Sequence, residues 1–471
     1  MPQIIYNDFT GGLVKNWAVK PYDALPLKTG GLNQMAETIG VDPFAKAGIL
    51  RPSFVLADID ATDAAQITTS IYAFAMNNST TSVAAYAIGG GKLYKIIGSG
   101  FTDLVNNSPT TPTWPHSIGS AVTNYQEDCL TASVNIGGTY VYCLLYAYNI
   151  ASGVGKMGRF DITNDSNWGA GNSSDTAYTL STNAAVDFSG NLDVPRPMVI
   201  GTNKVIYTAG GNVVDSLDTT VSSATVTLSA LDLPKDYRIK SLAWYKGNLV
   251  VAASTSRVTT GSPTSVGQIA VVFWNGTDPS YKEPVIINDV VCGALYVDNG
   301  ELYLFTGAGT SSGSLRRFNG IDFEFVVDTA SGVPQHNSVA PFRDGFIFAS
   351  SSGTFVYASV IPGKGKGLWQ LDNTATTCIG LLYPVNETYH FGGASFIKTV
   401  DTTKFSNSSC LLPRIDFPHK TTIDKVSVYF PALATGADAT IRYLKNLSGD
   451  YTTIGTITFA SDGTATEKIF T

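Results

Sequence analysis

The chain has 471 residues, of which 44% are hydrophobic and only 14% charged, with 46 glycines and a formal net charge of -7. So little charge leaves few groups to solvate the outer faces of helices, whereas strands can expose Thr, Ser, Asn and Tyr, and the composition therefore points to an all-β protein. The acidic balance and the lack of a basic stripe exclude broad binding to a phosphate backbone, which draws its affinity from clustered Lys and Arg.

The opening, Met1-Pro2-Gln3-Ile4-Ile5-Tyr6-Asn7-Asp8, has neither a positive segment nor an apolar core of the secretory kind, so synthesis in a cytoplasm is expected. No apolar run approaches the roughly 20 residues that a membrane-crossing helix needs, and no membrane span is expected. Residues 1–60 read as an extended arm, interrupted by Gly11-Gly12 and Gly30-Gly31. Residues 61–408 carry a recurring phrase: an apolar strand, a tight polar turn and a second aromatic or β-branched strand. It is plainest at Trp244-Tyr245-Lys246-Gly247-Asn248-Leu249, Val297-Asp298-Asn299-Gly300-Glu301-Leu302 and Phe342-Arg343-Asp344-Gly345-Phe346.

A period of roughly 40 to 50 residues built of strands and Asn/Asp/Gly turns predicts a β-propeller. Seven blades are expected, at 72–104, 133–168, 198–231, 242–285, 294–327, 339–371 and 379–405, with six or eight left open by the irregular second and third groups. Asn275-Gly276 and Asn319-Gly320 are read as type I′ hairpin turns closing two of these blades, since both central residues of that turn take positive φ. Residues 409–471 change to longer strands of period two, as in Ile423-Asp424-Lys425-Val426-Ser427-Val428, and predict a small antiparallel β-sandwich that packs with the arm as a platform.

The residues that could carry chemistry are sparse. Cys129, Cys143, Cys292, Cys378 and Cys410 are widely spaced with no Cys-x-x-Cys pair, and are expected as free, mostly buried thiols. His116, His336, His390 and His419 have no neighbouring His or Cys and read as polar packing, so no metal or cofactor is expected. Gly313-Ser314 and Ser351-Ser352-Gly353 lack the strand-elbow-helix setting of a nucleophilic serine.

Asp298, Asp322, Glu324 and Asp344 are the carboxylates that a glycan-cleaving propeller could use, yet each lies in or beside a turn, where Asp is favoured for its backbone hydrogen bonds. The Ser-x-Asp-x-Gly-x-Thr-Trp box of sialidases has only a solitary echo at Ser461-Asp462-Gly463-Thr464. Gly363-Lys364-Gly365-Lys366-Gly367 misses the phosphate-loop spacing and reads as a solvated loop. Trp274 and Trp369 read as wedges between sheets. No catalytic residue emerges, and a non-enzymatic role is expected.

Asp8-Phe9-Thr10-Gly11-Gly12-Leu13, followed by Gly48-Ile49-Leu50-Arg51-Pro52, resembles the paired "F-x-G-G-L" and "G-x-L-R-P" segments that open propeller-bearing structural proteins of tailed bacteriophages, the podovirus tail nozzles among them. Pro413-Arg414-Ile415-Asp416-Phe417-Pro418 is similar to the start of their terminal sandwich. The resemblance implies a virion protein of the tail, either a nozzle-like ring, with six subunits as the guess, or a tail-tip or tail-decorating subunit. Phe9, Gly11, Gly12, Leu13, Arg51 and Pro52 would then belong to an assembly arm. Other tail proteins would be its partners, DNA only a passing cargo, and a host surface glycan or receptor a further contact. The alternative is a carbohydrate-binding or glycan-cleaving propeller that recognises the host surface.

Overall fold

The computed structural model describes residues 12–13, 18–19, 34–35, 37–46, 49–59, 67, 70–77, 84–97, 103–104, 116–117, 127–149, 154–162, 176–182, 195–255, 258–259, 262–263, 267–278, 280–309, 312–329, 332–360, 365–382, 388–404, 408–411, 414–415, 425–430, 436–443, 450–462, 465 and 467–471. The chain is all-β apart from the short helix Phe459–Asp462 among these residues, and its main body is a seven-bladed propeller.

Each blade is an antiparallel sheet, and in blades one to six the first strand in sequence lies innermost. The inner strands are Ala73–Asn77, Asp128–Ile136, Met198–Ile200, Arg238–Tyr245, Val291–Asp298, Val339–Phe342 and Cys378–Leu382, and neighbours in this series touch around a closed ring. In blade one the outer position is shared by two fragments, Asp103–Leu104 and His116–Ser117, both paired with Lys92–Ile97. In blade four the loop between the second and third strands carries an extra hairpin, Val258–Thr259 with Ser262–Pro263.

Burial explains why the second strands read as unbroken apolar runs. A blade packs on a neighbour through both faces, so Leu249, Val250, Val251, Ala252 and Ala253 in blade four are all buried, as are Phe346, Ile347, Phe348 and Ala349 in blade six. Aromatic rings fill the wedges. Tyr207 of blade three stacks on Trp244 of blade four at 5.8 Å and meets Trp274 edge-on at 5.8 Å, while Trp369 is fully buried.

Turn chemistry sets the register of the inner hairpins. Lys246 and Gly247 have φ of 47° and 78° between the paired residues Tyr245 and Asn248, and Asn299 and Gly300 have φ of 48° and 80° between Asp298 and Glu301. Two consecutive positive φ values are what a two-residue I′ turn requires. The Asn-Gly pairs differ from expectation: only Gly276 and Gly320 take positive φ. Asn275 Oδ1 accepts the N–H groups of Thr277 and Asp278, and Asn319 Oδ1 accepts those of Ile321 and Asp322. The asparagine side chain organises a wider loop, so no I′ turn forms.

Blade seven is completed by a strand from the other end of the chain. Phe54–Asp58 runs antiparallel to Phe396–Lys404, pairing Leu56 with Val400 and Asp58 with Lys398. This strand falls within the residues read as arm. Cys378–Leu382, Thr388–Gly393 and Phe396–Lys404 supply only three strands, and Phe54–Asp58 covers the edge they leave. Val41–Lys46 and Ile49–Pro52 form a hairpin, and Phe44 packs edge-on to Trp369 and Phe342 in blade six at 6.2 and 5.2 Å. Arg343 Nη1 donates to the Phe44 carbonyl at 2.9 Å.

A second compact unit comprises residues 1–8, 18–32 and 414–471. Ala18–Val19 pairs in parallel with Arg414–Ile415, so both chain ends contribute to it. Val426–Tyr429 pairs with Glu467–Phe470 and Asp438–Tyr443 with Thr452–Thr458, both antiparallel. Among the described residues of these four strands only Ile457 is buried, while Tyr429 is 75% and Ile469 46% exposed.

Closure of the ring is testable. Leu56→Asp places a charge in the buried seam of blade seven and is expected to lower unfolding free energy by on the order of 4 kcal/mol in urea titrations followed by Trp fluorescence. Asp58→Asn, on the same strand but exposed, should change it by less than about 1 kcal/mol.

Candidate functional site

The residues that lead into the inner strands bring polar groups to one end of the propeller. Tyr72 of blade one, Glu127 and Asp128 of blade two, Pro195, Arg196 and Pro197 before blade three, and Gln335, His336 and Asn337 before blade six line a small cavity there. Its free space is on the order of a single water molecule, too little for a sugar or a nucleotide.

Asp128 is the hub. Its Oδ1 accepts the Cys129 N–H at 2.7 Å and the Asn337 Nδ2–H at 2.6 Å, and its Oδ2 accepts the Met198 N–H at 2.5 Å. His336 Nε2 stands 3.4 Å from the same Oδ2 and 3.2 Å from the Met198 carbonyl. Facing two acceptors, Nε2 carries the ring proton in this assignment, and Nδ1 receives the Ser241 hydroxyl at 2.7 Å. Ser241 Oγ in turn accepts the Leu295 N–H at 2.9 Å. Asn337 offers its carbonyl to the Ile379 N–H at 2.9 Å. One polar lattice thus reaches the first strands of blades two through seven.

Ser241, His336 and Asp128 are the residue types of a hydrolytic triad, but their arrangement does different work. Ser241 is fully buried and its oxygen is occupied by Leu295 N–H and His336, so no carbonyl carbon has a path to it. The chemistry available is mutual satisfaction of buried polar groups, which fixes neighbouring blades in register. His336 is placed in this packing role by its partners, as its isolation in sequence suggests.

The carboxylates considered for glycan cleavage lie elsewhere, and each has a local partner. Asp298 pairs with Lys366 at 2.8 Å, Asp322 Oδ1 accepts the Phe323 N–H, Glu324 accepts Asn319 Nδ2–H at 2.7 Å, and Asp344 accepts the Ser359 N–H at 3.0 Å. Lys366 departs from the reading of a solvated loop: Asp298 draws it down onto the rings of Tyr303 and Tyr357. Lys364 lies outside the described residues. His390 is wholly buried beside Phe74, and that burial lowers its pKa to about 4. Cys129, Cys143, Cys292 and Cys378 are buried free thiols, and Cys410 is exposed.

Of the proposed arm residues, Phe9 and Gly11 lie outside the described residues. Gly12 and Leu13 form a two-residue strand parallel to Gln34–Met35, and Arg51 and Pro52 end the hairpin strand Ile49–Pro52 with exposed side chains. The axial lattice, by contrast, escapes sequence reading. Asp128 and Asn337 are 209 positions apart, and the available signal is a short polar stretch before an apolar strand, as in Glu127-Asp128 or Gln335-His336-Asn337-Ser338.

No family model and no curated protein matches the sequence. Among solved structures, the computationally designed Ika8 protein is 12% identical over 71% of this chain and 96% of its own, with a TM-score of 0.39. The extracellular domains of two putative hybrid two-component systems of B. thetaiotaomicron are also similar. BT3049 is 12% identical over 90% of this chain and 57% of that one, TM-score 0.47, and BT4673 is 11% identical over 75% and 43%, TM-score 0.41. The chain spans about half the length of these two extracellular domains.

If the lattice acts as a staple, His336 and Ser241 are energetically coupled. His336→Ala is expected to cost about 2 to 3 kcal/mol by leaving Asp128 and Ser241 short of a partner, and Ser241→Ala about 1 to 2 kcal/mol. The double variant should fall short of the sum by about 1 kcal/mol in equilibrium unfolding, whereas strict additivity would mean the two side chains stabilise the ring independently.

Proposed function

We propose that this protein is a structural component of a bacteriophage tail, acting by assembly with other virion proteins and with copies of itself, as a nozzle-like ring or a tail-tip or tail-decorating subunit. The observation that carries this reading is the division of labour along the chain. Seven blades form one unit, while both chain ends join in a second unit through the pairing of Ala18–Val19 with Arg414–Ile415. Among its described residues that second unit exposes Tyr429, Tyr443, Tyr451 and Ile469 and buries only Ile457, which suits a platform completed by a neighbouring subunit. The resemblance of the segments around Gly11-Gly12 and Arg51-Pro52 to the phage family supports the same assignment.

The role proposed is non-enzymatic. Asp298, Asp322, Glu324 and Asp344 are each held by a local partner, and the axial serine is sealed, which favours a scaffold over a glycan-cleaving site. The protein would be made in the host cytoplasm and built into the virion, with DNA passing as cargo and a host surface glycan or receptor as an external contact.

Purified protein examined by negative-stain microscopy and mass photometry is expected to form closed rings, six subunits being the working number. Dispersed monomers that shorten host polysaccharide would support the glycan-cleaving alternative and overturn this reading.

A further inference from the structure

We propose that Glu127 is a proton-operated latch between blades one and two, held while its carboxyl is neutral and loosened as the carboxyl ionises. Glu127 immediately precedes the inner strand of blade two, and its Oε1 accepts the N–H of Gly91, in the tight turn between the second and third strands of blade one, at 2.8 Å. The residue is only 3% exposed and lines the axial cavity, and its buried Oε2 has no hydrogen-bond partner among the described residues. With Oε1 engaged as an acceptor, Oε2 is the oxygen left to carry the proton.

Other ionisable groups line or flank the same cavity. Asp128 is the next residue and already gathers three N–H donors. Tyr72 faces the cavity from blade one, Arg196 from the entry to blade three and His336 from the entry to blade six, while Lys92 follows Gly91 in the chain. The buried thiol of Cys129 lies near enough to feel both carboxyls and the Cys378 thiol. Burial outweighs the single Gly91 hydrogen bond and lifts the Glu127 pKa from 4.5 to about 8.

The sign follows from proton counting. Between pH 4.5 and about 8 the closed latch keeps a proton that the opened one releases to solvent, so closure weakens as pH rises and levels off above the upper value. The opening constant should therefore rise on the order of tenfold per pH unit across that window.

Hydrogen exchange at the Gly91 amide, corrected for its intrinsic rate, tests this in the full chain from pH 5 to 9. The expected result is a steep loss of protection with pH in the parent and a flat profile in Glu127→Gln, which keeps the shape and the acceptor without the charge. Parallel profiles in the two proteins would overturn the proposal. Should the variant fail to fold, infrared titration of the parent decides: a protonated carboxyl band at pH 6.5 that disappears near pH 8 supports the latch, and its absence at pH 6.5 refutes it.

Discussion

Everything in the propeller depends on the requirement that each sheet bury both of its faces. A blade whose second strand reads Gly345-Phe346-Ile347-Phe348-Ala349 has no face to give to water, so it needs a neighbour on each side. Only a closed ring satisfies that condition for every blade at once. Ile71, Ala85 and Ala87 of blade one therefore pack with Cys378 and Ile397 of blade seven in the same way as the other neighbours do. The strand Phe54–Asp58 completes the last sheet and ties the beginning of the propeller to its end.

Closing a ring of apolar wedges leaves polar backbone groups at the axis, where the inner strands begin. The lattice around Asp128 answers that need with side chains: a carboxylate for the Cys129 and Met198 amides, a serine for the Leu295 amide, and a histidine that spans them. Removing such groups from water is tolerable only when each finds a partner, and here the partners come from different blades. The same lattice therefore satisfies polarity and holds alignment. Glu127, next in sequence to Asp128, has one oxygen without a partner among the described residues, and its burial makes it a place where protonation and packing meet.

Much of the fold is legible in the sequence because its signals are local. Lys246-Gly247 and Asn299-Gly300 mark inner hairpins through a backbone requirement that any reader can apply, and the apolar runs beside them mark strands buried on both faces. Where a signal is local but has two solutions, reading errs: Asn275-Gly276 and Asn319-Gly320 suit a tight turn equally well, and the asparagine side chains chose to cap a wider loop. What depends on distant partners cannot be read this way. Phe54–Asp58 shows no alternation of its own, and neither Asp128 nor His336 carries a mark of the other. The four turn carboxylates are the converse case, visible as candidates in sequence and assigned by the structure to nearby amides and cations.

The placement of Phe54–Asp58 has a consequence for how the molecule comes into being. That segment leaves the ribosome before any blade exists, yet the edge it must dock on, Phe396–Lys404, is among the last parts of the propeller to be translated. Six sheets can condense one after another as they emerge, while the earliest segment waits unpaired for the rim that receives it. The nascent molecule is thus an open fan for most of the propeller's translation, and the final fastening must await the strand that forms the receiving edge, at an entropic cost that grows with the logarithm of the loop it closes.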